Sequence, residues 1–285
     1  MVDVHHRYAM VHGRRLFYRE AGPPNAPTLV LLHGYPTSSF MFRHLIPDLA
    51  RDYRVIAPDH LGFGLSDAPP VEEFDYTFDA LAGLTAALLE HLRVTHYTMY
   101  VQDYGAPIGW RLALRDPGAV TAIISQNGNG YEAGFVPEFW EPIWAYHREQ
   151  NPETEKVVRQ AFTPEAIRWQ YLTGVPDETL VSPDTWHHDY ALISRPGNDR
   201  VQLALFRDYA SNIPLYGRLH EYFRAHRPPL LAVWGKDDPV FGPEGARAFA
   251  QDLPDAQVHL LEGGHFLLES ALDKVIRLMR AFLDR

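Results

Sequence analysis

The chain has no cysteine. That removes disulfides, thiolate zinc ligands and thiol nucleophiles together, and says little about compartment. No stretch approaches the roughly 20 apolar residues that span a bilayer. The opening Met1-Val-Asp-Val-His-His-Arg7 lacks the apolar run of a signal peptide. Positive charge is also short, with 26 Lys plus Arg against 36 Asp plus Glu and a net charge of -10. A nucleic-acid surface wants clustered Lys and Arg, so neither nucleic acid nor a polyanionic substrate is expected. What is present is enough for a real core: 285 residues, 46% of them hydrophobic. The composition points to a soluble cytoplasmic protein with no membrane partner, metal or cofactor.

Taken in order, the chain alternates buried-strand and helix patterns. Arg7 to Val11 and Arg14 to Glu20 read as a hairpin around His12-Gly13. Thr28 to Leu32 and Tyr53 to Ala57 are short apolar runs of the kind covered on both faces. Phe40 to Ala50 and Tyr76 to Leu92 read as helices, and Val120 to Ser125 as another strand. From Gly130 to about Arg227 the chain has helical stretches, many Trp and Tyr, and no convincing strand. The alternation resumes at Pro229 to Trp234, Pro243 to Gln251, Val258 to Leu261 and a helix from Phe266. This predicts an α/β fold, a mostly parallel eight-stranded sheet with helices on both faces. Residues 1–129 and 228–285 form the core domain, and 130–227 an inserted helical cap.

The stretch from His96 to Trp110 is the centre of the reading. A strand-like first half meets a helix beginning near Gly105, with Asp103 in a turn too tight for an ordinary loop. A small residue two positions after Asp103 suits such a turn. Asp103 is then either a helix N-cap or a reactive carboxylate. Ligands in such sheets sit beyond the carboxyl ends of the strands. The polar residues there are His33-Gly34, Asp103, Asn127, Asp237-Asp238 and His265.

An elbow residue, an acid and a histidine in that chain order resemble the α/β-hydrolases. His33-Gly-Tyr35-Pro36 looks like that family's His-Gly-x-Pro loop, and Gly62-Phe-Gly64-Leu-Ser66 its Gly-x-Gly-x-Ser loop. Trp234-Gly-Lys-Asp-Asp238 resembles the acid loop and Gly263-Gly-His265-Phe the histidine loop. The elbow carries aspartate where esterases carry serine. A carboxylate suits displacement at an sp³ carbon rather than acylation. The resemblance implies a catalytic set of Asp103, Asp238 and His265, with the backbone N–H groups of Tyr35 and Tyr104 as oxyanion hole. The family's Gly-x-x-Asp spacing from Gly235 selects Asp238 over Asp237. His33 shapes its loop.

Aspartate-nucleophile members with a cap are similar to epoxide hydrolases and haloalkane dehalogenases. The former use cap tyrosines on the opening alkoxide; the latter hold halide with a Trp after the nucleophile and a second Trp or Asn. Tyr104 and Tyr35 stand where a dehalogenase has Trp and Asn. The resemblance therefore implies an epoxide hydrolase taking a small apolar substrate and water, with a dehalogenase as the alternative and a non-catalytic ligand-binding homologue as a third reading. Tyr171 and Tyr209 are the candidate leaving-group donors. In Val201-Gln202-Leu203-Ala204 no tyrosine stands where epoxide hydrolases have a second one. Trp140, Trp144, Trp169 and Asn127 are assigned to the substrate pocket, the tryptophans with the competing role of packing the cap on the sheet and Asn127 with that of satisfying backbone. His187-His188-Asp189 and His5-His6 read as surface, since adjacent side chains diverge.

Overall fold

The computed structural model describes residues 2–284. Eight strands form one sheet: β1 (Val4–Val11), β2 (Arg14–Ala21), β3 (Thr28–Leu32), β4 (Arg54–Pro58), β5 (Tyr97–Gln102), β6 (Val120–Gln126), β7 (Leu230–Gly235) and β8 (Gln257–Leu261). Their spatial order is β1-β2-β4-β3-β5-β6-β7-β8. The first two pairings, β1 with β2 and β2 with β4, are antiparallel; the rest are parallel. All six residues of β5 are buried. Successive side chains point to opposite faces, so both faces of the sheet are covered there.

The chain leaves β3 toward β4 on one side, then crosses to β5 on the other. The carboxyl ends of β3 and β5 are therefore a topological switch point, where such sheets open a crevice. The expected strands and helices occur within a residue or a few of their predicted limits. One expected helix does not form. Phe40 to Ala50 is two short turns, Ser39–Phe42 and Ile46–Leu49. Pro47 is the reason, because its ring collides with the carbonyl four residues back and it has no N–H to give. The last helix is likewise split, into Leu267–Ser270 and Leu272–Leu283.

Between β6 and β7 the described residues hold helices Pro137–Arg148, Pro152–Val158, Pro164–Leu172, Pro183–Ile193, Asn198–Asp208 and Tyr216–His226. Four of them open on proline, whose fixed φ and missing N–H suit a first helical position. Asn151, Thr163 and Ser182 cap the helices that follow them. This segment reaches the strand ends at several points. Tyr35 Oη donates to the Ala161 carbonyl at 2.9 Å, Phe78 N to Asp208 Oδ2 at 2.7 Å, and Tyr171 stacks on Phe266 at 4.0 Å.

Candidate active site

The β5–helix junction is built by exclusion of side chains. A Cβ on Gly105 would lie 2.1 Å from the Leu32 carbonyl oxygen, so only glycine lets the Gly105–Arg115 helix start that close to β3. The chain turns at Asp103, whose φ is 48°. Left-handed backbone at a non-glycine residue is uncommon and aims this side chain out of the strand.

Two backbone amides converge on one carboxylate oxygen. Tyr35 N donates to Asp103 Oδ1 at 2.7 Å and Tyr104 N at 2.6 Å. An N-cap would take the N–H of the second or third helical residue. Asp103 instead takes that of its immediate neighbour and one from the loop after β3, so capping does not account for it. The other oxygen, Oδ2, lies 3.7 Å from His265 Nε2. His265 Nδ1 is 2.8 Å from Asp238 Oδ2. Asp238 Oδ1 accepts from Val240 N at 2.7 Å. Asp238 is buried while Asp237 is exposed.

The electrostatics follow from burial. Desolvation raises the Asp103 pKa to about 6, against the pull of His265 and the two amides. Burial also works against a charged His265, but attraction and hydrogen bonding to Asp238 outweigh it, and its pKa is raised. His33 is different. It is buried, its pKa lowered to about 4 by desolvation, and its Nε2 accepts from His60 N at 3.0 Å. The neutral ring fixes the loop after β3 to the loop after β4. Asp59 does the same, accepting from Ser39 N and Leu65 N at 2.7 Å each.

Asn127 does not face a pocket. Its Nδ2 donates to Asp238 Oδ2 at 2.6 Å, and its Oδ1 accepts from Gly235 N at 3.1 Å and Gln126 Nε2 at 2.7 Å. Its amide is thus committed to the β7 side and to Asp238, with a backbone φ of 48°. Trp169 also departs from expectation. It is 43% exposed, on the outer side of a helix whose inner side is Ile167, Gln170 and Tyr171. Trp140 is buried, but its indole N–H is held by the Val240 carbonyl at 2.8 Å. Trp144 is half-buried and stacks on Trp140.

The two phenols separate clearly. Tyr171 donates its hydroxyl hydrogen to buried Asp189. Tyr209 is buried, and its hydroxyl has no partner among the described residues. The Tyr209 ring centroid lies 5.8 Å from that of Tyr104. After burial and the neighbouring Tyr216, the Asp103 charge contributes to its raised pKa. The surface reading of His187-His188-Asp189 fails in part: His187 is exposed, His188 stacks on Phe40, and Asp189 is buried with its pKa raised to about 7 by desolvation.

Sequence reasoning passed over Gln102. It is fully buried, and its Nε2 lies 2.8 Å from His265 Nε2. Its signal was a polar residue ending an otherwise apolar strand, one position before Asp103.

Comparison with known proteins places these residues in context. Residues 27–272 match the family model described as alpha/beta hydrolase fold. The chain is 40% identical over 268 residues to an uncharacterised hydrolase of Saccharomyces cerevisiae, covering 93% of this chain and 92% of that one. It is 40% identical over 277 residues to a haloalkane dehalogenase of Mycolicibacterium paratuberculosis, covering 90% and 83%. The solved structure of epoxide hydrolase CorEH matches with a TM-score of 0.79 at 22% identity, covering 99% of both chains. A mutant of haloalkane dehalogenase DatA from Agrobacterium tumefaciens matches with 0.83 at 24%, covering 99% and 97%. At those identities the structural likeness speaks to the fold alone.

Proposed function

Because this chain belongs to the α/β-hydrolase fold family, we propose that it is a hydrolase that opens an apolar epoxide to a diol through an alkyl ester on Asp103. Residues 130–227 serve as the cap over a core of 1–129 and 228–285. The observation that carries the reading is the inequivalence of the two Asp103 oxygens. Oδ1 is held by the Tyr35 and Tyr104 amides, and Oδ2 faces His265 at 3.7 Å. Oδ2 is then the atom that displaces at carbon. Oδ1 becomes the ester carbonyl already seated between two donors, whose loss individually costs about 3 to 4 kcal/mol of barrier in such sites. His265, oriented by Asp238, takes a proton from the water that attacks Cγ.

The leaving group favours the epoxide. The Tyr209 hydroxyl is a buried donor without a partner, suited to an incipient alkoxide. The residue after Asp103 is Tyr104 rather than the Trp N–H donor a halide would take, and the Trp140 N–H is held by Val240. Haloalkane dehalogenation is the second reading, favoured by the name of a relative at 40% identity. Turnover of styrene oxide in heavy-oxygen water tests the covalent route. Label is expected in the Asp103-containing peptide, and repeated turnovers without it remove that route. Bromide release from 1,2-dibromoethane without diol formation from the epoxide selects the second reading. Tyr209→Phe is expected to lower epoxide turnover by about 10²-fold, and an unchanged rate removes Tyr209 as the donor.

A further inference from the structure

We propose that Gln102 is a positioning residue for the hydrolytic half-reaction, its carboxamide oxygen accepting a hydrogen bond from the second hydrogen of the water that His265 deprotonates. The inference rests on the aspartyl-ester reading above. Gln102 is the last residue of β5 and is completely buried. His265 Nδ1 is engaged by Asp238, so Nε2 presents its lone pair, and the Gln102 amide N–H donates to it at 2.8 Å. That leaves Gln102 Oε1 buried with no partner among the described residues. An orphaned buried amide oxygen is costly, and such groups call for an explanation.

The reaction supplies one. An attacking water must point its oxygen at Cγ of Asp103, which requires two acceptors for its two hydrogens. His265 Nε2 is the first. Other side-chain acceptors around the pair already take donors: Asp238 Oδ2 from His265 and Asn127, Asp238 Oδ1 from Val240 N, and Gln126 Oε1 from Tyr100. Asp103 Oδ1 is held by Tyr35 and Tyr104. Gln102 Oε1 has no partner among the described residues, and it belongs to the same amide that already touches the base.

In the step, the Gln102 N–H yields the Nε2 lone pair to water. Water oxygen bonds to Cγ while one proton passes to Nε2. The other stays on that oxygen, held by Gln102 Oε1. The Cγ–Oδ2 bond then breaks, and Oδ2 leaves on the product alcohol with the proton from His265. The new carboxyl group passes its remaining proton to the Tyr209 phenolate left by ring opening, and both the carboxylate and the phenol are restored.

The test uses Gln102→Met, which keeps length and removes the acceptor. Styrene oxide and 1,2-dibromoethane are the probes, and His265→Ala is the reference for a blocked second half-reaction. Expected for Gln102→Met is a fall in kcat of about 10²-fold with KM falling in parallel, kcat/KM within about threefold of the parent, and an alkyl adduct visible by intact mass. A purely structural role would lower kcat/KM as well and leave no adduct. Gln102→Glu, which retains an acceptor oxygen at the same reach, is expected to keep kcat within about tenfold of the parent. It carries the test if the methionine variant does not fold, and a larger loss there overturns the proposal. An adduct in His265→Ala but not in Gln102→Met overturns this inference alone. No adduct in His265→Ala removes the covalent reading and this inference with it.

Discussion

A methyl group on Gly34 measures how closely the loop after β3 is seated on Asp103. A Cβ there would lie 2.3 Å from both Cβ and Oδ1 of Asp103, where ordinary contact begins near 3.4 Å. Loop and carboxylate must then part by roughly 1 Å, well beyond what close-packed interiors absorb freely. Neither side yields easily. Asp103 sits at a left-handed elbow locked by Gly105 against β3, and Tyr35 is tied through its hydroxyl to Ala161. Misplacing a reacting group by about 1 Å costs on the order of 10²-fold in rate. Forcing an extra carbon into such a core costs about 1–3 kcal/mol. For Gly34→Ala, kcat/KM on the preferred substrate is therefore expected to fall about 10²-fold. Calorimetry should show a melting temperature lower by roughly 2–8 °C. A variant with parental melting temperature and a rate within about threefold of the parent would refute the close seating.

Other expectations use different parts of the molecule. Burial lifts Asp103 from 3.8 to about 6, so the native state keeps a proton that the unfolded chain has already released, and stability falls as pH rises across that interval. The thermal advantage of Asp103→Asn over the parent should thus be larger at pH 7 than at pH 4; an equal advantage at both contradicts the shift. The same pKa predicts an acid limb of kcat/KM near pH 6, and a limb below pH 5 would contradict it. Arg43 makes a two-pronged pair with Glu269 at 2.8 and 2.9 Å, mostly shielded from water. Glu269→Gln should cost about 2 kcal/mol by urea titration, short of the figure for a fully buried pair because Arg43 keeps some exposure. Gly83 lies inside the Phe78–His91 helix with open space where a Cβ would go, so Gly83→Ala should stabilise by about 0.5–1 kcal/mol.

The sheet was legible because its central strands are covered on both faces and so read as unbroken apolar runs. Asp103, Asp238 and His265 stood out because each is a polar residue just past the carboxyl end of a strand, beside glycines that close backbone approaches require. Legibility stopped where the answer depends on which way a short helix faces. In Pro164–Leu172, Trp169 and Tyr171 are both aromatic, yet one lies in solvent and the other beneath Asp189. A nine-residue helix with large apolar groups on more than one side does not rank its faces. The backbone role expected for Asn127 is met by Gly235 N, but its contact with Asp238 and that of Gln102 with His265 were opaque for another reason. Their partners, Asp238 and His265, come from strands more than a hundred residues later, so nothing local announces the contact. At Pro47 the local signal was present, and the apolar periodicity around it masked the break.

β6 ends at Gln126 and β7 begins at Leu230, yet the two are hydrogen-bonded neighbours. Closing a connection of about a hundred residues instead of an ordinary loop of about six costs only about 2.5 kcal/mol of chain entropy, since that cost grows with the logarithm of length. Chain entropy alone therefore sets little limit on what is spliced between those two strands. A foreign helical segment grafted across that junction would have to replace specific contacts, such as Ala161 with Tyr35 and Asp208 with Phe78, rather than overcome a large closure cost.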